Sequence, residues 1–387
     1  MTDFTPPFDA NPFEDMLDNL PDGRNQDLIL YSLPEILFAV LVSSLCGCNK
    51  LTLMIVFAGE KLEWFRKYYP YKHGIPSHDT LSRVLGMIDK KEFEKLFISW
   101  ACSHFKISPD ALLHIDGKRL NGSADKLAQS KKRNEGGAYA EIIVNVYASA
   151  QGIVVGHNDV SEKRDEIKGA SQLLDWMDVE GCCITGDANF CRKNLVEKMV
   201  SKGADYLVAL KAHLPTILNA TQNCFQDKQT ETQSFQTEET GHGRYEKRTY
   251  RVLTAEFLPD IATSYFKKLG TITEVHRIRL VKRTGKRSEE THYYVSSLDE
   301  SVEQLAHKIR QHWSIENNLH HRLDVSFGED ASRVRTKNAA SNLSLVRKVC
   351  VNLLAMDSSK GALKHKQMRL ALSDEKREKL LNKIMMR

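Results

Sequence analysis

The nine residues LLHIDGKRL, at positions 112–120, mark the point where the character of the sequence changes. Upstream of them, apolar residues recur at the three- and four-residue spacing of amphipathic helices. From this stretch onward, short runs rich in β-branched residues are bounded by turns, which is typical of strands. The next two predicted strands are AEIIVNVYAS at 140–149 and GIVVGHNDV at 152–160.

Helices and strands alternate after the third predicted strand. The order is helix EIKGASQLLDWMD (166–178), strand GCCITGD (181–187), helix CRKNLVEKMVSKG (191–203) and strand ADYLVALKA (204–212). Gly203 is predicted to cap the second of these helices at its C-terminal end. Three strands followed by alternating helix and strand predict a mixed α/β sheet with helices on its faces.

Residues 212–300 have a different pattern, which predicts a β-rich insertion. Segments such as YEKRTYRVL (245–253) alternate polar and apolar residues, as exposed antiparallel strands do. Helical spacing returns after residue 300, and NAASNLSLVRKVCVNLLAM (338–356) predicts a last long helix.

Four regions follow from these patterns and from the distribution of charge. They are an acidic flexible arm at 1–25, a helical domain at 26–106, an α/β domain at 107–358 and a basic C-terminal tail at 359–387. In the helical domain, GIPSHDTLSRVLGMID (74–89) offers Ser77 as an N-cap. This turn and helix could belong to a helix-turn-helix DNA reader or to a helical bundle without DNA contact.

Bulk composition is that of a globular protein of two or three domains, with 387 residues and a net charge of +5. The eight cysteines form no CxxC pair and are expected to be reduced. The N-terminal sequence fits neither a secretory signal nor a transit peptide, so we expect a cytoplasmic protein. The apolar stretch 36–58 is interrupted by Gly47, Asn49 and Lys50, which favours two core helices over a membrane span.

Two aspartates are predicted at the ends of apolar strands. Asp116 lies in HIDGK and Asp187 in TGDAN. A carboxylate there needs a cation or hydrogen-bond donors, and the carboxyl ends of parallel strands form the ligand-binding edge of open sheets. The pair could converge on one metal site, although each Asp could instead cap a following loop or helix.

A third acid is offered by HWSIENNLHHRLDVSF, at 312–327. His312, Glu316 and His320 lie four apart and would share one face of a helix. The HExxH zinc pattern is absent, whereas Glu316 would complete an all-oxygen site suited to magnesium or manganese. A solvated amphipathic helix remains open, and the neighbouring acids Asp324, Glu329 and Asp330 are rival ligands.

Basic residues surround the same elements. They are Lys118, Arg119, Lys131, Lys132, Arg133, Arg310, Arg322, Arg333, Arg335 and Lys337. Cleavage of a nucleic-acid phosphodiester requires cations that hold the phosphate backbone and, beside them, acids that hold metal ions. The combination indicates a DNA-processing enzyme.

An ordered series of motifs resembles one known family. The series is HIDGK, EKRDEI, TGDAN, DYLVALKA, GHGRYEKR, YYVSSL, HWSIENNLHHRLDVSFGEDASRVR and NAASNLSLVRKV. Together, over roughly residues 26–358, they resemble the H-repeat-associated branch of bacterial insertion-sequence DDE transposases. The resemblance implies an RNase H-like catalytic domain at 107–358, with the insertion before the last catalytic helix. It assigns Asp116, Asp187 and Glu316 as the catalytic, metal-binding acids.

The resemblance also implies a mechanism and partners. Two Mg²⁺ (or Mn²⁺) ions would serve cleavage at element ends and strand transfer into target DNA, with Asp116 bridging both. The expected partners are DNA and further copies of the chain, without a membrane. The DNA contacts predicted are Lys118, Arg119, Arg310, His312, His320, Arg333, Arg335 and Lys337, with Arg310 or His312 placing the phosphate. An RNase H-like nuclease without strand transfer, a decayed DNA-binding remnant and a zinc hydrolase remain alternatives.

Overall fold

The strands of the protein form one mixed sheet in the order β3-β2-β1-β4-β5-β9-β8-β7-β6. The computed structural model describes residues 12–123, 140–160, 165–241 and 243–385. The strands are β1 Leu112–Arg119, β2 Ile142–Ala148, β3 Ile153–Val160, β4 Cys183–Gly186, β5 Asp205–Leu210, β6 Gln233–Gly241, β7 Arg244–Leu253, β8 Thr271–Val281 and β9 Arg287–Ser296. β1, β4 and β5 pair in parallel, and the remaining pairings described are antiparallel. The predicted mixed α/β sheet is thereby confirmed.

The described helices follow the sequence order in two runs. Before the sheet lie α1 Pro12–Asp18, α2 Leu33–Leu45, α3 Leu51–Glu60, α4 Leu62–Phe65, α5 His78–Met87 and α6 Lys90–Phe105. Within and after it lie α7 Glu166–Trp176, α8 Lys193–Ser201, α9 Pro215–Gln226, α10 Asp260–Tyr265, α11 Val302–His312, α12 His321–Phe327, α13 Ala339–Ala355, α14 Leu363–Leu372 and α15 Asp374–Leu381. No helix among these residues is both long and apolar enough to cross a membrane.

The chain divides into two compact units. The first unit comprises the described parts of 1–107, 117–177 and 315–387, and the second comprises 108–116 and 178–314. The division falls inside β1, between Asp116 and Gly117.

Helix α13 is the centre of the first unit. Every residue from Ala339 to Leu354 is buried, and α13 packs against α2, α5, α6 and β3. Its buried asparagine side chains form hydrogen bonds with backbone groups of the elements packed against it. Asn342 Nδ2 donates to the carbonyl oxygen of Leu85, in α5, at 2.7 Å. Asn352 bonds both the N–H and the carbonyl of Val154 in β3. Such paired amides let a polar-containing helix be fully buried.

The helices predicted for residues 26–106 are present. α5 begins at the predicted cap, where the hydroxyl of Ser77 accepts a hydrogen bond from the amide of Thr80. α2 begins with a capping box between Ser32 and Glu35, which satisfies amides left open at a helix start.

In the second unit, α11 lies on the parallel strands and the antiparallel extension. Its residues Val302, Leu305 and Ile309 are buried in one cluster with residues of β4, β5, β7 and β8. The segments read as exposed antiparallel strands form β7, β8 and β9, with β6 at the edge. Gly203 follows α8 with φ +77°, as expected of a C-terminal capping glycine.

One prediction about the last third of the chain needs correction. Residues 312–327 are not one α-helix, because α11 ends at His312 and a π-helical turn spans Ile315–His320 before α12. Leu319 and Leu323 are buried, whereas Trp313 is 48% exposed. A π turn inserts one residue into the helical repeat, which changes the face on which the following residues lie. The basic tail also contains two helices, α14 and α15, with buried residues on each.

Candidate active site

The two strand-end aspartates occupy neighbouring strands of the second unit. β1 and β4 pair in parallel, with Ile115 opposite Gly186, and the next residues along are Asp116 and Asp187. Both are partly buried. Parallel pairing in this register therefore brings two carboxylates to one edge of the sheet, as the sequence analysis expected.

Asp187 also caps the turn that follows β4. Its Oδ1 accepts a hydrogen bond of 2.8 Å from the amide of Asn189, at the start of the short 3₁₀ turn Ala188–Phe190. This is the capping alternative considered from the sequence. The bond uses one of the two carboxylate oxygens, and it fixes the orientation of the side chain. Capping and metal binding are therefore compatible at this position.

A chain of three polar side chains lies beside these strand ends in the second unit. Thr185 Oγ1 lies 2.6 Å from Nδ1 of His114 and 2.8 Å from Nδ1 of His312. Burial, and next the charge of His312, lower the pKa of His114 to about 3, so its ring is neutral. Thr185 thus ties the last residue of α11 to β1 and β4. Spacing alone had placed His312 beside Glu316 and gave no sign of this contact.

Glu316 belongs to the first unit and lies in the π-helical turn. Its side chain is 60% exposed, and Oε2 lies 3.4 Å from Nδ1 of His320. The bond from His320 holds the pKa of Glu316 below its usual value, burial acts against this, and the charge of Lys118 assists it. Glu316 is therefore an ionised, accessible carboxylate.

The second ring nitrogen of His320 meets Asn145, which fixes the ring that faces Glu316. The amide Nδ2 of buried Asn145, in β2, lies 3.5 Å from Nε2 of His320. Because an amide nitrogen only donates, Nε2 is the acceptor and the proton lies on Nδ1, facing Glu316. The Glu316 oxygen and a His320 ring nitrogen also lie within 4.8 Å of one another, close enough to share a metal ion. Asn145 had no signal in the sequence beyond its place in an apolar strand.

The rival acids in the first unit have cationic or hydroxyl partners. Lys118 Nζ donates to both oxygens of Asp324 at 2.8 Å and to Asp330 at 3.4 Å. Glu329 is buried and accepts a hydrogen bond from Ser344 at 2.8 Å. Of the four acids weighed from the sequence in residues 312–330, Glu316 is the one without a lysine or arginine ion pair in the described chain.

The predicted DNA-binding residues differ in accessibility. Arg119, Arg333, Arg335 and Lys337 are exposed in the first unit. Lys118 and His320 are buried, at 7% and 5% exposure. In the second unit Arg310 forms an ion pair with Glu239 at 3.0 Å. The predicted cluster Lys131, Lys132 and Arg133 lies outside the described residues.

The loop that contains Arg333 and Arg335 packs on the turn after β1. Arg335 Nε donates to the carbonyl oxygen of Gly122, just after β1. A Cβ at Gly122 would lie 2.1 Å from the carbonyl oxygen of Ser332, so the loop before Arg333 packs directly on this turn. The turn after β1 and residues 332–335 thus form one basic surface in the first unit.

A carboxylate missed by sequence reasoning lies beside Gly117. Glu166, in the first turn of α7, is 6% exposed, and a Cβ at Gly117 would lie 2.5 Å from its Oε1. A larger residue at position 117 would therefore require the buried Glu166 side chain to move.

Comparison with known proteins identifies the class of this chain. The family model described as "Transposase DDE domain" matches residues 108–353, and the model described as "DDE_Tnp_1-associated" matches residues 14–101. The chain belongs to the DDE transposase family. Within that family, the resemblance to H-repeat-associated transposases is confirmed by the relatives.

Two relatives and one solved structure illustrate the similarity. "Putative transposase YncI" of Escherichia coli O157:H7 is 34% identical over 93% of this chain and 91% of its own length. "H repeat-associated putative transposase YhhI" of Escherichia coli K12 is 31% identical over 92% of this chain and 93% of its own. A piggyBac transposase in a synaptic complex with hairpin DNA covers 96% of this chain and 80% of its own, with 12% identity and a TM-score of 0.46. This last score is too low to support a conclusion about the fold.

Proposed function

We propose that this protein cleaves DNA at the ends of an insertion sequence and transfers the freed strands into target DNA. The observation that carries the proposal is the parallel register of β1 and β4, which brings Asp116 and Asp187 to neighbouring strand ends. Membership of the transposase family supports the choice of DNA as substrate. We infer further that the domain at 107–358 is RNase H-like, with the insertion at 212–300.

Glu316 is proposed as the third catalytic acid. β1 continues from Asp116 into Lys118, and Lys118 shares a unit with Glu316, whose pKa its charge lowers. The competing acids Asp324 and Asp330 are already bonded to Lys118. Ionised carboxylates with exposed oxygen atoms are the donors that Mg²⁺ and Mn²⁺ prefer. The residues therefore fit a hard divalent metal better than zinc.

Asp116, Asp187 and Glu316 would hold the metal ions. When bound, two such ions lower the pKa of the attacking hydroxyl and stabilise the charge on the leaving oxygen. The protein's own residues have separate tasks. The Asn189 amide orients Asp187, and the Nδ1–H of His320 orients Glu316 and keeps it ionised. Water, or later the freed 3′-hydroxyl, attacks the scissile phosphorus, and the P–O bond to the leaving oxygen breaks.

Binding of the DNA backbone is proposed for the exposed basic residues. Arg119, Arg333, Arg335 and Lys337 are accessible and free to meet phosphates without loss of an ion pair with described residues. Arg310 would have to exchange its pairing with Glu239 for a phosphate. We propose that copies of the chain assemble when two element ends are brought together. The helical domain at 26–106 is proposed to contribute to DNA binding.

The test uses the full chain, its flanking genomic DNA and Mg²⁺, with nicks mapped to the nucleotide. We expect the wild type to nick at the element ends and Asp116→Asn to lose cleavage by at least about 10³-fold, as loss of a major source of transition-state stabilisation does. Binding of the same DNA by Asp116→Asn should be largely retained. Asp110→Asn is the matched control, because Asp110 is exposed before β1 and offers the same chemical change.

Each result separates one alternative from the proposal. Full cleavage by Asp116→Asn would refute the assignment of the site. Cleavage without joining of precut ends to a target plasmid would leave a nuclease, and DNA binding without cleavage by the wild type would leave a decayed remnant. Restoration of activity by zinc but not by Mg²⁺ or Mn²⁺ after chelation would favour a zinc hydrolase.

A further inference from the structure

A cavity of about 470 Å³ in the first unit is formed by the tail that follows α13. It lies between residues 357–360 and the helices α14 and α15. Its charged lining consists of Lys360, Arg369, Lys376, Lys379, Lys383 and one acid, Asp357. The cavity thus has five cations against a single carboxylate.

The single carboxylate cannot balance the charge of the four lysines. Asp357 accepts hydrogen bonds from the amide and the hydroxyl of Ser359, at 2.9 and 2.8 Å. Arg369 donates to the Ser359 hydroxyl at 3.0 Å and to the Lys360 carbonyl at 2.6 Å. These bonds hold the loop against α14. Asp357 and Arg369 therefore build the wall of the cavity.

Two of the three acids of α15 are bonded to the N-terminal helices. Asp374 bonds Lys61, and Glu378 bonds Lys67 and the indole of Trp64, all within the first unit. The third acid, Glu375, is exposed and does not line the cavity. Lysines at 376, 379 and 383 line the cavity. The cavity therefore keeps an uncompensated positive charge.

The lysines of the cavity are available to a ligand. Lys360, Lys376 and Lys379 are exposed, and their ammonium groups have no ion pair or hydrogen bond to any residue that the structure describes. Lys383 is exposed and donates to the carbonyl oxygen of Met356 at 2.7 Å. A lysine ammonium is a point charge with freely rotating donors, so it can meet a phosphate oxygen from many directions. Such lysines therefore attract phosphate groups.

We propose that this cavity binds phosphate groups of the DNA backbone, at a site separate from the catalytic acids. Lys376 and Lys379 lie one turn apart on α15, about 4.5 Å along its axis at 1.5 Å per residue, and Lys383 follows in the turn after the helix. A DNA strand carries one charge per about 3.4 Å of its axis, so a row of this length meets more than one phosphate. A polyanion therefore fits it better than a single small anion. The inference rests on the proposed function only in its choice of DNA as the polyanion.

The experiment measures equilibrium binding of a labelled element-end duplex by the full chain over a range of salt concentrations. The test variant is Lys376→Gln with Lys379→Gln. The control, Lys364→Gln with Lys228→Gln, removes the same charge from exposed lysines that do not line the cavity. All four positions are exposed, so thermal unfolding should match the wild type for both variants.

We expect the test variant to lower the slope of log K against log salt by about 1.8, since each lost phosphate contact contributes about 0.9. At about 0.1 M salt this corresponds to about 60-fold weaker binding, falling toward no difference near 1 M. The loss should be the same for an unrelated duplex, because phosphate contacts do not read sequence. The control should keep the wild-type slope.

A wild-type slope in the test variant would overturn the inference, and so would an equal loss in the control. Cleavage of the same DNA by the wild type is measured in parallel. A wild type that binds through the cavity but never cuts would sustain this inference and refute the proposed chemistry. If the wild type cuts DNA but the test variant binds DNA as the wild type does, the proposed chemistry stands and this inference is refuted.

Discussion

Replacing Lys118 by methionine tests whether a buried cation organises the surroundings of Glu316. Lys118 is 7% exposed and donates two hydrogen bonds of 2.8 Å to Asp324 and one of 3.4 Å to Asp330. Methionine keeps most of the apolar stem and removes the charge. Hydrogen bonds to charged groups contribute about 1.5–3 kcal/mol each, and breaking a fully buried pair costs about 3–5 kcal/mol. Asp324 and Asp330 are 32% and 38% exposed, so water replaces part of the loss. We expect a loss of about 2 kcal/mol.

The pH dependence of this loss follows from the pKa of Lys118. Burial alone would lower that pKa, but the bond to Asp324 and the charges of Glu329, Asp324 and Asp330 outweigh burial and raise it. A raised lysine pKa stabilises the folded state fully below the unfolded pKa of about 10.4, and the contribution is lost as pH rises through the folded value. The difference between variant and wild type should therefore be constant near neutrality and shrink only above about pH 10.

The assay is urea unfolding at neutral pH and again above about pH 10.4. Lys95→Met is the matched control, because Lys95 is 33% exposed, against 7% for Lys118, and forms an ion pair at 2.8 Å with Glu92, three residues away on α6. Such surface pairs contribute about 0.2–0.5 kcal/mol. If Lys118→Met and Lys95→Met lose the same free energy of unfolding, the buried-cation argument is wrong.

Two further predictions concern β1. Gly117→Ala should lower the free energy of unfolding by about 1–3 kcal/mol, because its Cβ overpacks against buried Glu166. The control Gly59→Ala, in α3 with open space around its Cβ, should raise it by about 0.5–1 kcal/mol. Equal melting temperatures of the two variants would contradict this. Burial and the charge of His312 lower the pKa of His114 to about 3, so the unfolded chain takes up this proton first and stability is lost as pH falls from about 6.5 toward 3. The stability difference between wild type and His114→Asn should change by up to about 1.4 kcal/mol per pH unit in that window, and a pH-independent difference would refute the assignment.

Much of the fold could be predicted because its signals are local. The strand LLHIDGKRL, the cap Ser77 and the capping glycine Gly203 lie where the sequence placed them. Each depends on residues within a few positions of one another, which is the range over which periodicity and turn chemistry operate. The break after His312 was missed because the apolar spacing continues through the π turn Ile315–His320 and gives no local signal of it.

The strand-end positions of two candidate acids were predictable, and the surroundings of those acids were not. Asp116 and Asp187 could be placed at strand ends from the sequence, but their adjacency depends on which strands pair. Lys118 was interpreted as a DNA contact from its charge; the structure buries it between two acids, and a contact with DNA stays a prediction. Asn145, buried in β2, became visible only through its bond to His320.

The sequence by itself determined the order of helices and strands and the family, and it named three acids as catalytic, which stays a proposal. Tertiary structure decided which carboxylates already have partners: Asp324 and Asp330 share Lys118, while Glu316 pairs with a histidine of the same unit. The reason is physical. Periodicity records contacts between near neighbours along the chain, whereas the ionisation and availability of a carboxylate depend on charges and burial contributed by residues hundreds of positions away, as Lys118 is from Asp324.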